Sequence, residues 1–387
     1  MTDGSLLLWG RVLTGGTELP PSRIEVSGGR ISRVQPAPRP AASDIAVDDG
    51  WIVPGLIDLQ VNGAGGTDLT SAPDPEEALQ AVARALAEHG VTAFCPTVVS
   101  SREEVILERL AAYGPRRIAC GAESLGAHIE GPFIDRDHRG VHDPALLRTA
   151  TPAEIERWLQ IGKPAIVTLA PERPGGVAAI VQLARAGVLV SLGHSGATSE
   201  QAQLGLASGA RMATHLFNAM PPLHHRKPGL VGALLASDAT VGLITDGIHL
   251  DPLVIDLVVA RAGVARVTLV SDALAAAGMP AGDSVLGDQV VISDGRSIRR
   301  TDGTLAGSAM LLDGCLRNAV TWLKALPPAE VLRMATQTPA DALELSAKGR
   351  VAEGADADLV VMDADWRVRH TIVGGSLVGP WALEVPA

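Results

Sequence analysis

Ile52-Val53-Pro54-Gly55-Leu56-Ile57-Asp58-Leu59-Gln60-Val61-Asn62 is an apolar run that turns polar at its C-terminal end. Asp74-Pro75 follows, a cap with proline at the first helical position, and opens a helical pattern reaching His89. A second apolar run, Thr92–Val99, comes next. Strand, helix and strand at this spacing make a βα unit that feeds a parallel strand.

The same texture continues to about residue 345. Eight strand candidates stand in order: Ile52–Val61, Thr92–Val99, Leu125–Glu130, Ala165–Ala170, Val188–His194, Met212–Phe217, Val241–Asp246 and Val267–Asp272. Thr151-Pro152-Ala153-Glu154 predicts another helix start with a capping box. Eight parallel strands closing on themselves give an α/β (β/α)₈ TIM-like barrel with its active site at the C-terminal strand ends. Short strands separated by Gly and Pro flank it: Leu6-Leu7-Leu8, Ile24-Glu25-Val26 and Ile31–Val34 before, Ala357–Met362 and Val368–Val373 after. These predict one small β-sandwich domain built from both terminal segments, residues 1–51 and 349–387, around a barrel of residues 52–348. Pro36–Ala42 reads as a loop.

Composition narrows the class. With 387 residues and 47% hydrophobic side chains, the chain has material for a large core. A net charge of −11 argues against nucleic acid or an anionic membrane as partner. No apolar run approaches membrane-spanning length. Three cysteines, Cys95, Cys120 and Cys315, in apolar surroundings fit reduced thiols in a cytoplasmic protein. Against this acidity, His224-His225-Arg226-Lys227 gathers positive charge locally.

Polar groups terminate otherwise apolar strands. Strand one ends in Gln60-Val61-Asn62, strand three in Glu130, strand five in His194, strand six in His215 through Asn218, strand seven in Asp246 through His249, and strand eight in Asp272. Singly, each has a plain reading as a helix cap, an ion pair or a core histidine. Six strand ends together point to one site, because carboxylates and imidazoles are costly to bury without partners. Glu130, His194 and His215 supply one carboxylate and two imidazoles, a donor set used by catalytic Zn²⁺ and by Fe²⁺, with a position left open. Asp272 beside them is placed to act as general base and acid.

The sequence resembles the N-acetylglucosamine-6-phosphate deacetylases of the amidohydrolase superfamily. The resemblance rests on Val53–Gly63, His128–Phe133, Gly193–Thr198, Thr214–Met220, Arg226–Leu230, Asp246–His249 and Gly303–Met310. It implies that Glu130, His194 and His215 hold one divalent metal ion per subunit, Zn²⁺ first and Fe²⁺ or another divalent transition metal second. It implies that Asp272 moves the proton and that His142 polarises the acetyl carbonyl. Val141, His142, Asn218, Ala219, Arg226, Asp246, Gly247, Ile248, His249, Leu305, Ala306 and Gly307 would contact a phosphosugar substrate. Arg226 would do so from the neighbouring subunit of a homodimer.

Many amidohydrolases carry His-x-His at the end of strand one and bind two metals. Gln60 and Asn62 stand there in this chain, and neutral amides are poor transition-metal ligands, so this position reads as a vestigial second-metal site. Three rivals remain: a galacto-epimer specificity, a barrel that has lost its chemistry, and a cyclic-amide hydrolase. The last would need a bridging lysine, and none occurs between residues 1 and 162.

Overall fold

A computed structural model describes residues 6–378. Eight parallel strands form the barrel wall: Leu56–Val61, Val91–Val99, His128–Glu130, Ile166–Leu169, Leu189–Leu192, Met212–Ala213, Thr240–Leu243 and Val267–Leu269. Each pairs in parallel with the next from the first strand to the eighth, with register shifts only in the first ladder, at Leu56/Ile57 and between Asp58 and Val61. Nearly every residue in them is buried, as expected of strands covered on both faces.

The last seam, between strands eight and one, is not an ordinary ladder. In its lower half the Ile57 and Leu269 N–H groups donate to Ala335 and Met334 carbonyls, so that segment wedges between the strands. Higher up, Asp272 N–H donates to Gln60 O at 3.0 Å and Asn62 N–H to Ala273 O at 2.9 Å. Between these levels the Asp58 carboxylate accepts from Ser271 N–H at 3.2 Å, replacing a main-chain acceptor.

Helices cover the wall. Asp74 caps Pro75–Glu88 by accepting from the Glu76 and Glu77 N–H groups, and Leu79, Val82 and Leu86 face the strands. Thr151 caps Pro152–Ile161, but the expected capping box is only half made: the Glu154 carboxylate turns away to pair with Arg148 at 2.6 Å. The complete capping box belongs to Thr198 and Gln201 at the helix Ser199–Ala207. No helix among the described residues is long and apolar enough to cross a membrane.

Strand candidate one proves to be two strands. Ile45–Pro54 belongs to the terminal sheet and Leu56–Val61 to the barrel, broken at Gly55. A Cβ there would lie 2.0 Å from Thr92 Oγ1, so only glycine lets the chain pass. The terminal segments meet in one seven-stranded sheet, in the order Ser376–Val378, Val368–Val373, Leu359–Met362, Ile45–Pro54, Leu6–Thr14, Thr17–Ser27, Arg30–Pro36. Its far edge meets the segment that leads into Leu359–Met362: Ile31 N–H donates to Ala355 O and Ala357 N–H to Gly29 O. The sheet packs over its own core of Leu8, Ile24, Ile31, Ile52, Leu359 and Ile372.

Lys348 joins the two cores. Its Nζ lies 2.9 Å from Glu123, 3.1 Å from Asp356 and 2.7 Å from Asp358. Burial works against its charge, but Asp358 and Glu123 outweigh this and hold the ammonium above its ordinary range.

After strand eight stands a four-stranded antiparallel sheet: Gly282–Leu286, Gln289–Ser293, Ser297–Arg300 and Leu305–Ser308. Leu286, Val291, Ile298 and Ala306 pack down against Val99 and Val141 beside the barrel mouth. The Gly287 N–H reaches the buried Asp68 carboxylate at 3.3 Å and moors the hairpin tip. The cysteines divide: Cys95 and Cys315 are buried, while Cys120 is exposed, contrary to the expectation of apolar surroundings.

Candidate active site

The polar strand ends converge. Glu130 Oε1 lies 3.2 Å from His194 Nε2 and 3.1 Å from His215 Nε2, and the two imidazole nitrogens are 3.1 Å apart. The backbone turns sharply to aim these groups: φ is +48° at His194, +28° at His215 and +49° at Asp272. Non-glycine residues with such angles carry roughly 1–3 kcal/mol of strain each, tolerated where the surroundings enforce them. Phe217 and Ala219 share the left-handed conformation, so strand six ends at Ala213, short of the expected Phe217.

Two of the three rings are oriented from behind, whereas His215 Nδ1 is buried without a hydrogen-bond partner among the described residues. His194 Nδ1–H donates to His138 O at 3.0 Å, which leaves the Nε2 lone pair facing Glu130 and His215. The following turn is held by Glu172, which accepts from Ser195 Oγ at 2.7 Å and Gly196 N–H at 2.8 Å. His142 Nδ1 accepts from the Ser100 N–H at 3.2 Å. Its proton therefore sits on Nε2, 3.8 Å from Glu130 Oε2. Burial, then the adjoining His194, pushes His142 down to about 3, so it is a neutral donor at neutral pH.

Burial alone would raise Glu130, but the adjoining His194 and His215 imidazoles hold it well below the usual carboxylate range. One ionised carboxylate and two imidazole nitrogens meeting at a point fit a divalent transition-metal ion. Asp272 stands beside them. Its Oδ1 accepts from Asn62 Nδ2 at 2.8 Å and Gln60 Nε2 at 3.0 Å. Burial, reinforced by Glu130, pushes it up to about 8. A carboxyl of that kind both takes and returns a proton near neutrality.

A cleft of about 220 Å³ opens over these groups. It brings together Asn62, Glu130, Val141, His142, His194, His215, Asn218, Ala219, His249, Asp272, Leu305, Ala306 and Gly307 from the expected set. Gly307 allows its segment to lie along strand eight, since a Cβ there would be 2.9 Å from Asp272 O. Gln60 lies beneath the cleft, where it also donates to Glu130 Oε1 at 2.9 Å. Asp246, Gly247 and Ile248 do not line it. Asp246 instead anchors the turn, accepting from the Ile248 and His249 N–H groups and from His249 Nδ1 at 2.8 Å. Arg226 is exposed on its loop, outside this chain's own cleft.

Four lining residues were missed: Val99, Gly140, Leu286 and Thr304. Leu286 was legible in principle, because Val285-Leu286 and Val290-Val291-Ile292 flank Gly287-Asp288, a hairpin signal.

Residues 51–378 match the model of the Amidohydrolase family. N-acetylglucosamine-6-phosphate deacetylase of Danio rerio is 41% identical over 346 residues, covering 84% of each chain. The chain belongs to the amidohydrolase family, in its N-acetylglucosamine-6-phosphate deacetylase branch. The Mycobacterium smegmatis deacetylase structure superposes on this amidohydrolase with a TM-score of 0.91 at 34% identity, over 97% of this chain and all of that one. A second structure from that organism, in complex with N-acetyl-D-glucosamine-6-phosphate, gives 0.87 at 33% identity over the same shares.

Proposed function

We propose that this amidohydrolase converts N-acetyl-D-glucosamine 6-phosphate to D-glucosamine 6-phosphate and acetate, as an enzyme of cytoplasmic amino-sugar metabolism. One observation carries the reading: a carboxylate and two imidazoles, a neutral N–H donor and a carboxyl of raised proton affinity face one cleft, in a chain whose relatives bear that activity's name. Glu130, His194 and His215 would hold one divalent metal ion, Zn²⁺ foremost. Bound there, such an ion supplies Lewis acidity to the attacking water and the amide carbonyl.

The chain's own groups do the rest. His142 Nε2–H donates to the carbonyl oxygen as negative charge develops on it. Asp272 takes the proton of water as the oxygen bonds to the acetyl carbon. The C–N bond then breaks as Asp272 gives that proton to the departing amine. Asn218, Ala219, His249 and the Leu305–Gly307 wall hold the sugar, whose phosphate is a handle and takes no part in the chemistry.

The working unit is a homodimer in which Arg226 reaches the neighbouring cleft. In favour of this, His224–Lys227 is exposed between Pro221-Pro222 and Pro228-Gly229, and Arg226 is directed at nothing in its own site. Guanidinium suits a phosphate bidentately.

The test is acetate release from the 6-phosphates of N-acetylglucosamine and N-acetylgalactosamine and from the free sugars, with metal analysis of the same sample. The gluco phosphate is expected to lead, with one metal per chain. No release from either phosphate, or two tightly held metals, overturns the reading. In a second arm, inactive Arg226→Ala and Asp272→Asn subunits are mixed. Activity returns if the site is shared, and its absence in proven heterodimers assigns Arg226 to its own subunit.

A further inference from the structure

We propose that Gln60 and Asn62 are positioning residues which decide the oxygen of Asp272 that exchanges the proton. The inference rests on the deacetylase reading and deepens it. A carboxylate torsion is broad and two-fold, so a lone aspartate would present either oxygen to the cleft. Here Oδ1 receives both side-chain amides, Asn62 at 2.8 Å and Gln60 at 3.0 Å. Oδ2 takes no hydrogen bond from the described residues, and Asp272 lines the cleft. Its two oxygens are therefore chemically unlike.

Gln60 does more than hold Asp272. Its two N–H groups fork to Glu130 Oε1 at 2.9 Å and to Asp272 Oδ1, keeping two neighbouring carboxylates apart while satisfying both. A neutral imidazole has one N–H and could serve only one of them. Both neighbours are acceptors, which fixes the amide orientation. Gln60 Oε1 and Asn62 Oδ1 are buried without partners, so the donor ends dictate the placement. The supporting backbone is the barrel seam: Asp58 Oδ1 accepts from Gln60 N–H and Ser271 N–H, each at 3.2 Å, and Asp272 N–H donates to Gln60 O. The position that reads as a vestigial metal site has become the cradle of the base.

Gln60→Met and Asn62→Leu keep side-chain volume and remove the donors. Each is expected to lower kcat on the order of 10²-fold while metal content is unchanged and KM moves by less than about threefold. Asn62→Ser adds no apolar bulk, serves if the larger variants do not fold, and should also lose turnover. Crystal structures of the metal-free variants should show Asp272 in more than one rotamer. The proposal is overturned if kcat stays within about threefold of wild type, if the loss falls on KM or metal content, or if Asp272 keeps its single rotamer. A wild type inert on the phosphosugar overturns the deacetylase reading instead, and the rotamer measurement then judges this inference alone.

Discussion

Two buried groups of acid-bearing side chains look alike by distance and differ in what neutralises them. Glu130 with His194 and His215, and Glu123 with Asp356 and Asp358, each bring their oxygen or nitrogen atoms within 4.8 Å of one another. The second group holds its own cation, the Lys348 ammonium, with Arg117 at 3.7 and 3.8 Å from Glu123 and Asp356. The first has imidazole lone pairs and amide N–H donors, and no lysine or arginine lines its cleft. A cation built in as a side chain fixes the charge balance at folding and blocks any ion. Neutral donors beside one carboxylate leave positive charge to be supplied from solution. Clustered acids are therefore not enough to make a metal site; neutral lone pairs and an open face make the difference.

The largest effect comes from breaking the first group. His194→Ala should leave a folded chain with little metal and activity at background, by metal analysis and circular dichroism. Asp272→Asn should keep the metal and lose about 10³-fold or more in turnover, because an amide cannot shuttle a proton. Full metal in the former, or near-normal turnover in the latter, removes the distinction between donor and base.

Lys348→Met attacks the second group. It leaves the buried Asp358 without its cation and the part-buried Glu123 and Asp356 with Arg117 alone, and should cost about 3–5 kcal/mol in urea unfolding, while the folded fraction keeps its metal and kcat. A loss of metal stoichiometry would mean that the two groups are coupled.

Asp58 gives the smallest effect at any one step of pH and the most diagnostic one, since it is buried with no cation in contact. Burial pushes it up to about 7 from an ordinary 3.8, so the folded chain retains a proton that the unfolded chain gives up. Its cost to folding thus grows as pH rises from about 4 to about 7 and levels off above. Asp58→Asn cannot ionise, and its stability relative to wild type should improve across that window by up to roughly 1.4 kcal/mol per pH unit. Parallel pH profiles would show that Asp58 is ionised in the fold.

Much of this architecture was legible for one reason. Burying Glu130, His194, His215 or Asp272 at the end of an apolar strand is expensive, and repetition at the same place in successive βα units left a barrel mouth as the economical reading. What stayed hidden depends on geometry that no spacing encodes. The sequence marks Gln60 as a weak ligand, but not the fork of its amide between Glu130 and Asp272. Asp246 has the residue type of a substrate contact, yet its turn aims it at His249. Lys348 reads as one of four scattered lysines, because its three partners are far away in sequence. The sheet Gly282–Ser308 was overlooked because its strands are short and half-exposed, with Val285, Val290 and Ile292 facing outward.

The terminal sheet also sets a timetable for synthesis. Val53 pairs with Val360, so the strand Ile45–Pro54 waits for a partner made some 307 residues later (360 − 53). At about 5–20 residues per second that is roughly 15–60 s on the ribosome. Throughout it, one edge of a nascent sheet offers free N–H and C=O groups to any passing strand. The barrel can gather itself in sequence order, but the amino-terminal strands cannot finish until the strand Leu359–Met362 has been made. Chains released before Leu359 would carry that open edge permanently and be the natural clients of chaperones and proteases.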